Sequence, residues 1–241
     1  MIEPAGRQAG GSVRLAELSS PEVARRAGAG AVLAVPLGAT EQHGPHLPLG
    51  TDSDIAEALC LRLARTRPDV LVAPPVSYGS SGEHAGFAGT ISIGQDALEL
   101  LVVELGRSVT ETFGRLLLVS AHGGNAEAVG RAVDLLRRES REVLLHLPRW
   151  TGDPHAGHPE TSMMLELAPQ LVRMELAVAG DRRPLTETMP LLRAGGVRAV
   201  SASGVLGDPT RATAAAGRAL LDQLGARLAE DVAGWLATVP A

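Results

Sequence analysis

"AVLAVPLGATEQHGPHLPLGTD", residues 31–52, holds the two signals that decide the fold. Residues 31–37 are apolar on both alternating faces, the pattern of a strand covered by helices on each side. Directly after this run, Glu41, His43, His46 and Asp52 are gathered among prolines and glycines. Three further runs of the same kind follow: "VLVAPPV" (70–76), "RLLLVSA" (115–121) and "EVLLHLP" (142–148). Helical stripes separate them. Ile55, Leu59 and Leu63 share one face, as do Leu98, Leu101, Val102, Leu105 and Val109, with Gly114 as a stop. Val129, Val133 and Leu136 form the third stripe. This alternation predicts an α/β fold, a three-layer sandwich with a mainly parallel central sheet.

The last third is less regular. The pattern predicts a helix beginning near Glu160. A final helix follows, with Asp208 as N-cap, Pro209 in its first turn and Leu220, Leu224, Leu228, Val232 and Trp235 turned inward. Between them, "GGVRAVSASGVLGDP" (195–209) reads as a loop plus one short strand. No linker, repeat or low-complexity tract interrupts the chain, so residues 1–241 are expected to form a single domain.

Composition narrows the function. The chain has 241 residues, 45% hydrophobic and 20% charged, with a net charge of -5. That balance argues against nucleic acid, which usually demands a basic face. No apolar run is long enough to span a bilayer. "MIEPAGRQAGG" lacks the basic and apolar regions of a secretory signal. The one cysteine, Cys60, fits a reducing cytoplasm and reads as a small core residue. No lysine is present, which excludes Schiff-base chemistry and a P-loop. No nucleophile elbow or dinucleotide loop is present either. Histidines, carboxylates and metals remain.

Polar clusters fall where strands end, the place where open α/β sheets bind ligands. The first is Glu41, His43, His46 and Asp52. The second is "SAHGGN" (120–125), with His122 and Asn125, and the third is "HAGHPETS" (155–162), with His155, His158 and Glu160. Glu41 and His43, two apart, point the same way in an extended segment. A carboxylate at Asp52 is able to touch two cations, one with each oxygen. Histidine with carboxylate and no thiolate suits Zn²⁺, Mn²⁺ or Fe²⁺ and does not rank them. Two such ions about 4 Å apart make a water nucleophilic near neutral pH.

"PLGATEQHGPHLPLGTD", "YGSSGEHAGFAGT", "SAHGGN" and "HAGHPETS" resemble, in order and spacing, the creatininase family of dinuclear metal amidohydrolases. The resemblance implies two divalent ions per subunit (Zn, Fe(II) or Mn). Glu41 and His122 would hold one, His43 and Glu160 the other, and Asp52 would bridge them. It also implies His155 as the acid–base residue. Creatininase proper carries a metal-binding carboxylate where this chain has Gly124, which argues against creatinine as substrate. "GGVRAVSASGVLGDPTRATAAAG" (195–217) is similar to the branch found in mycofactocin biosynthesis. That branch implies a peptidase whose partner is the modified precursor peptide, cut near its C-terminus to release a cross-linked Val-Tyr-derived dipeptide. The resemblance further implies a homo-oligomer, for which the alanine-rich last helix offers a surface.

Tyr78, Phe87 and Trp150, in or beside motif loops, are candidate packing partners for an aromatic substrate. His84, Gly123 and Asn125 are candidate substrate contacts, although a tight turn explains the latter two as well, and Asn125 is also a good N-cap. His84 either reaches the substrate or shapes its loop. His46 either supports the ligands from behind or is plain loop surface. His146, mid-strand, reads as a packing residue, and His158 is given no role. Two other functions fit the same residues: an amidohydrolase acting on a small cyclic amide or formamide, and a metal-containing scaffold without turnover.

Overall fold

The computed structural model describes residues 11–238, so the stretch before Gly11 that was read for a signal lies outside the described residues. Four strands form one wholly parallel sheet. They are β1 (Val32–Leu37), β2 (Val70–Val72), β3 (Arg115–Ser120) and β4 (Val143–His146), in the order β2-β1-β3-β4. Seven α-helices accompany them among the described residues: α1 (Ser20–Gly28), α2 (Thr51–Thr66), α3 (Gly94–Val109), α4 (Ala126–Arg138), α5 (His158–Leu167), α6 (Leu185–Gly195) and α7 (Ala214–Thr238).

Alternation along the strands divides the core in two. Val32, Ala34, Val70, Val72, Leu117 and Val119 face one side, where α2, α5 and α7 pack through Ile55, Leu59, Met163, Met164, Leu221, Leu224 and Leu228. Leu33, Val35, Leu37, Leu71, Leu116, Leu118 and Val143 face the other side, covered by α3 and α4 through Leu98, Val102, Val129, Val133 and Leu136. Each buried valine, leucine, isoleucine or methionine among them contributes about 1.5–3 kcal/mol of apolar burial. The three layers predicted from the sequence are therefore present.

β1 connects through α2 to β2 on one flank, whereas β3 connects through α4 to β4 on the other. Because parallel crossovers keep one hand, these helices lie on opposite faces, and a crevice opens between the carboxyl ends of β1 and β3. Register keeps those ends level, with Leu37 paired to Ser120. Gly38 lets the start of α2 close in on the end of β1: a Cβ there would lie 2.5 Å from both Cα and N of Ser53. Asp52 is brought to the crevice by this approach.

Several expectations are corrected. β2 stops at Val72, ahead of Pro74 and Pro75, neither of which has an N–H for the ladder. α5 starts at His158, close to the expected start near Glu160, with Pro159 in its first turn. Asp208 caps only the single 3-10 turn Pro209–Arg211, accepting from Thr210 N, and α7 starts at Ala214 behind Thr213, whose hydroxyl accepts from Ala216 N. Segment 195–209 holds no named strand; Leu206 makes isolated bridges to His155 and Asp181. Leu221, not Leu220, takes the buried place on α7, and Trp235 is only partly buried. The apolar face of α7 packs on α5 and α2. No described helix is long and apolar enough to cross a membrane.

Candidate metal centre

The loop after β1 delivers Glu41 and His43, and the first turn of α2 delivers Asp52. The loop after β3 delivers His122, and the first turn of α5 delivers Glu160. Asp52 and Glu160 sit at helix N-termini, where the backbone dipole favours a carboxylate. Ala156, at φ 52°, turns its N–H onto Glu160 Oε2 at 2.6 Å. A residue with a Cβ rarely adopts that conformation, so the loop holds strain where it meets the centre.

The five residues converge, and all are at least 95% buried. Asp52 faces two ways: Oδ1 lies 3.3 Å from His43 Nε2, and Oδ2 lies 3.3 Å from His122 Nδ1. Glu41 Oε2 is 3.3 Å from His122 Nε2, and Glu160 Oε2 is 4.0 Å from His43 Nε2. Donor atoms group into the trios Glu41–Asp52–His122 and His43–His155–Glu160, plus a third, Glu41–His84–His155.

Hydrogen bonds from behind orient the rings. His43 Nδ1 donates to its neighbour Glu41's carbonyl at 3.2 Å, which turns Nε2 into the cluster. His122 Nε2, the nitrogen that also faces Glu41 Oε2, donates to the Ser80 carbonyl at 2.9 Å and leaves Nδ1 to Asp52, while His155 Nε2 donates to the Gln42 backbone carbonyl at 2.9 Å. The Gln42 amide donates to His84 Nδ1 at 2.8 Å and to the Gly204 carbonyl at 3.2 Å. Outer contacts of this type fix imidazole tautomers at metal sites.

Electrostatics strain the cluster. Burial opposes charge on His43 and His122, yet the carboxylates around them outweigh it and raise both to about 10. Burial, then the Asp52 charge, raises Glu41 to about 8, and burial raises Glu160 to about 7. Burial also opposes charge on Asp52, but His43 and His122 hold its carboxyl well below the usual range. Burial and the charge of His43 depress His84 to about 3 and hold His155 well below its ordinary value. Burial therefore favours the neutral imidazole of His155.

Glu41 Oε2, His43 Nε2 and Asp52 Oδ2 are buried without a hydrogen-bond partner. Buried polar atoms are nearly always satisfied, so three orphans in one cluster of oxygen and imidazole donors fit a cation. The cluster forms the floor of a cavity of about 840 Å³. Trp150, Leu147 and Pro148 line one side, and Leu185, Met189, Leu192 and Val197 another.

A family model described as "Creatininase: Creatinine amidohydrolase" matches residues 16–232. The chain belongs to the creatininase family. A Mycolicibacterium smegmatis protein named mycofactocin precursor peptide peptidase is 49% identical over 209 residues, covering 83% of this chain and 84% of its own. Creatinine amidohydrolase of Pseudomonas putida is 32% identical over 207 residues, covering 73% of this chain and 78% of its own. Two creatininase structures, one described as "Creatininase Mn" and the other a mutant of "Zn-Zn type", share the fold with a TM-score of 0.80. Each is 27% identical and covers 92% of this chain and 97% of its own.

Within this creatininase fold, Glu41, His43, Asp52, His122, Glu160 and His155 meet, and His84 joins them at 3.3 Å from Glu41 Oε1. Gly123 and Trp150 line the cavity. Tyr78 lies outside that lining and is 51% exposed, while Phe87 packs under the Arg198 guanidinium, 5.8 Å from its centroid. Asn125 is fully buried and acts as a loop clamp. Its amide donates to the Gly38 carbonyl at 2.9 Å, and its Oδ1 accepts from Ser80 N at 2.9 Å. Its side chain makes no cap bond to α4. His46 Nε2 meets the Thr161 hydroxyl at 2.8 Å, tying the β1 loop to α5, and His146 Nδ1 meets Asp231 at 2.7 Å. His158 opens α5 away from the cavity lining. Sequence reading missed Glu83 and Gln42, and also Arg149 and Arg193 of the cavity lining. Glu83 and Gln42 each sit next to a histidine that had been singled out.

Proposed function

We propose that this chain is a metallopeptidase of mycofactocin maturation. It cleaves the modified precursor peptide near its C-terminus and frees the cross-linked Val-Tyr-derived dipeptide. One observation carries the hydrolase reading: Asp52 aims its two oxygens at His43 and His122, on opposite sides of the centre. That arrangement supports one shared carboxylate between two cation positions. Glu41 and His122 would complete the first position, His43 and Glu160 the second. Two bound divalent ions (Zn, Mn or Fe(II)) would polarise the scissile carbonyl and acidify the attacking water.

The remaining work falls to this chain's own residues. With its Nε2–H engaged by the Gln42 carbonyl, His155 turns Nδ1 towards the centre, 3.8 Å from Glu41 Oε1. From there it takes the proton of the attacking water and returns it to the leaving amine. His84, fixed by the Gln42 amide, steadies the outer oxygen of Glu41. Trp150 and the apolar wall of α6 hold a bulky apolar end of the peptide.

The relative named as a precursor peptide peptidase supports the substrate, and the cavity is far larger than one small cyclic amide needs. We read the chain as one cytoplasmic domain that assembles as a homo-oligomer. Both cores sharing a single sheet, and the one buried cysteine, support the first two points. The test is direct. The purified, metal-assayed protein is incubated with modified precursor peptide and separately with creatinine. Release of the dipeptide, read by mass, supports the proposal; creatinine turnover without peptide cleavage reverses it in favour of the small-amide reading.

A further inference from the structure

Glu83 is an acidic side chain of the cavity that this chemistry leaves unused. It lies in the 3-10 turn Gly82–His84, its side chain is 36% exposed, and its Oε1 stands 3.7 Å from His122 Nε2. An idle glutamate on such a turn would extend into solvent. This one is folded back against a residue of the centre.

The neighbouring backbone is built around that placement. A Cβ added at Gly124 would lie 2.3 Å from Glu83 Oε1, 2.3 Å from the Ser80 carbonyl oxygen and 2.5 Å from His122 Nε2. Glycine at 124 therefore leaves the volume beside His122 to a carboxylate from another loop. The two loops are clamped together by Gln95, whose Nε2 donates to the Gly124 carbonyl at 2.7 Å and the Ser80 hydroxyl at 2.8 Å. Asn125 and His122 add a bond each to Ser80.

Resting on the two-cation reading above, we propose that Glu83 is the fourth carboxylate of the centre, ligating from the cavity wall on the Glu41–His122 side. A carboxylate on an exposed turn is easier to withdraw than one in the core. The cation on this side is therefore the more readily exchanged of the two.

The experiment titrates metal-free wild type, Glu83→Ala, Glu83→Gln and Glu83→Asp with Mn²⁺, followed by calorimetry and by the spin-resonance signal of free Mn²⁺. Wild type is expected to take up two ions. Glu83→Ala and Glu83→Gln should keep one and hold the other about tenfold or more weakly, with Glu83→Asp partly restored. Metal-free melting temperatures should match across the set, because Glu83 is partly exposed. Two unweakened uptake events in Glu83→Ala overturn this inference alone, whatever happens to turnover. No uptake by wild type overturns it together with the metallopeptidase reading.

Discussion

His155 gives its Nε2–H to the carbonyl of Gln42 at 2.9 Å, so the ring nitrogen that faces Glu41 is the one free to accept a proton. Replacing His155 by alanine should lower kcat by about 10²–10⁴-fold while the protein keeps its full cation content, measured by elemental analysis. His155 also falls in a trio with His43 and Glu160. A parallel loss of cation would make it a ligand instead and remove it from proton transfer.

Protons and cations compete for the centre. His43 and His122 stand near 10, Glu41 near 8 and Glu160 near 7, all above their ordinary values. A group whose pKa is raised by folding stabilises the fold below its unfolded value and loses that contribution as pH rises through the folded one. For the carboxylates the window runs from 4.5 up to about 7–8, and for the imidazoles from 6.5 up to about 10. Chelator-treated protein is expected to melt progressively lower as pH rises from 7 to about 10, with loaded protein much less sensitive. Parallel melting curves for the two forms across that range would contradict this.

Cation uptake at pH 7 should also release protons, because ligation needs the imidazoles neutral. Calorimetry in buffers of differing ionisation heat would show it as a buffer-dependent enthalpy. Identical enthalpies in all buffers would mean that His43 and His122 are already unprotonated.

The tight approach at Gly38 has a mechanical price. Alanine there must push the start of α2 off the end of β1, since its Cβ would meet Ser53 Cα and N at 2.5 Å. A loss of about 1–3 kcal/mol is expected, as for an overpacked core. Because Asp52 precedes Ser53, cation affinity should fall with it. Retained affinity at lowered stability would separate the two.

Much of this was readable in the chain because it depended on local pattern. The doubly apolar strands, the helical stripes and the polar residues at strand ends all follow from periods of two and 3.6 and from where parallel strands end. The last third resisted for physical reasons. α6 carries Pro190 inside it and buries only Thr188, so neither propensity nor a core stripe marks it. Asp208 and Thr213 both suit a helix start, but the bond from Asp208 closes only the turn Pro209–Arg211 and α7 begins behind Thr213. Asn125 shows a third limit: an amide beside a metal-binding loop reads as a substrate contact, whereas its bonds to Gly38 and Ser80 hold loops together.

Trp150 gives a test of substrate size. Its replacement by alanine should reduce kcat/KM for the precursor peptide about tenfold, chiefly through KM. Hydrolysis of a small amide, if any is detected, should change little. Equal effects on both would show that Trp150 shapes the centre rather than the far end of the cavity.

The centre draws on segments as distant along the chain as Glu41 and Glu160, and they meet only once β1 and β3 are paired and α5 is seated on α7. Its assembly is therefore a late event in folding. A cation that has no pocket until the scaffold stands cannot nucleate that scaffold, unlike the ion of a zinc finger. Refolding rates should be the same with and without added metal, and a cell short of metal would accumulate folded, idle enzyme.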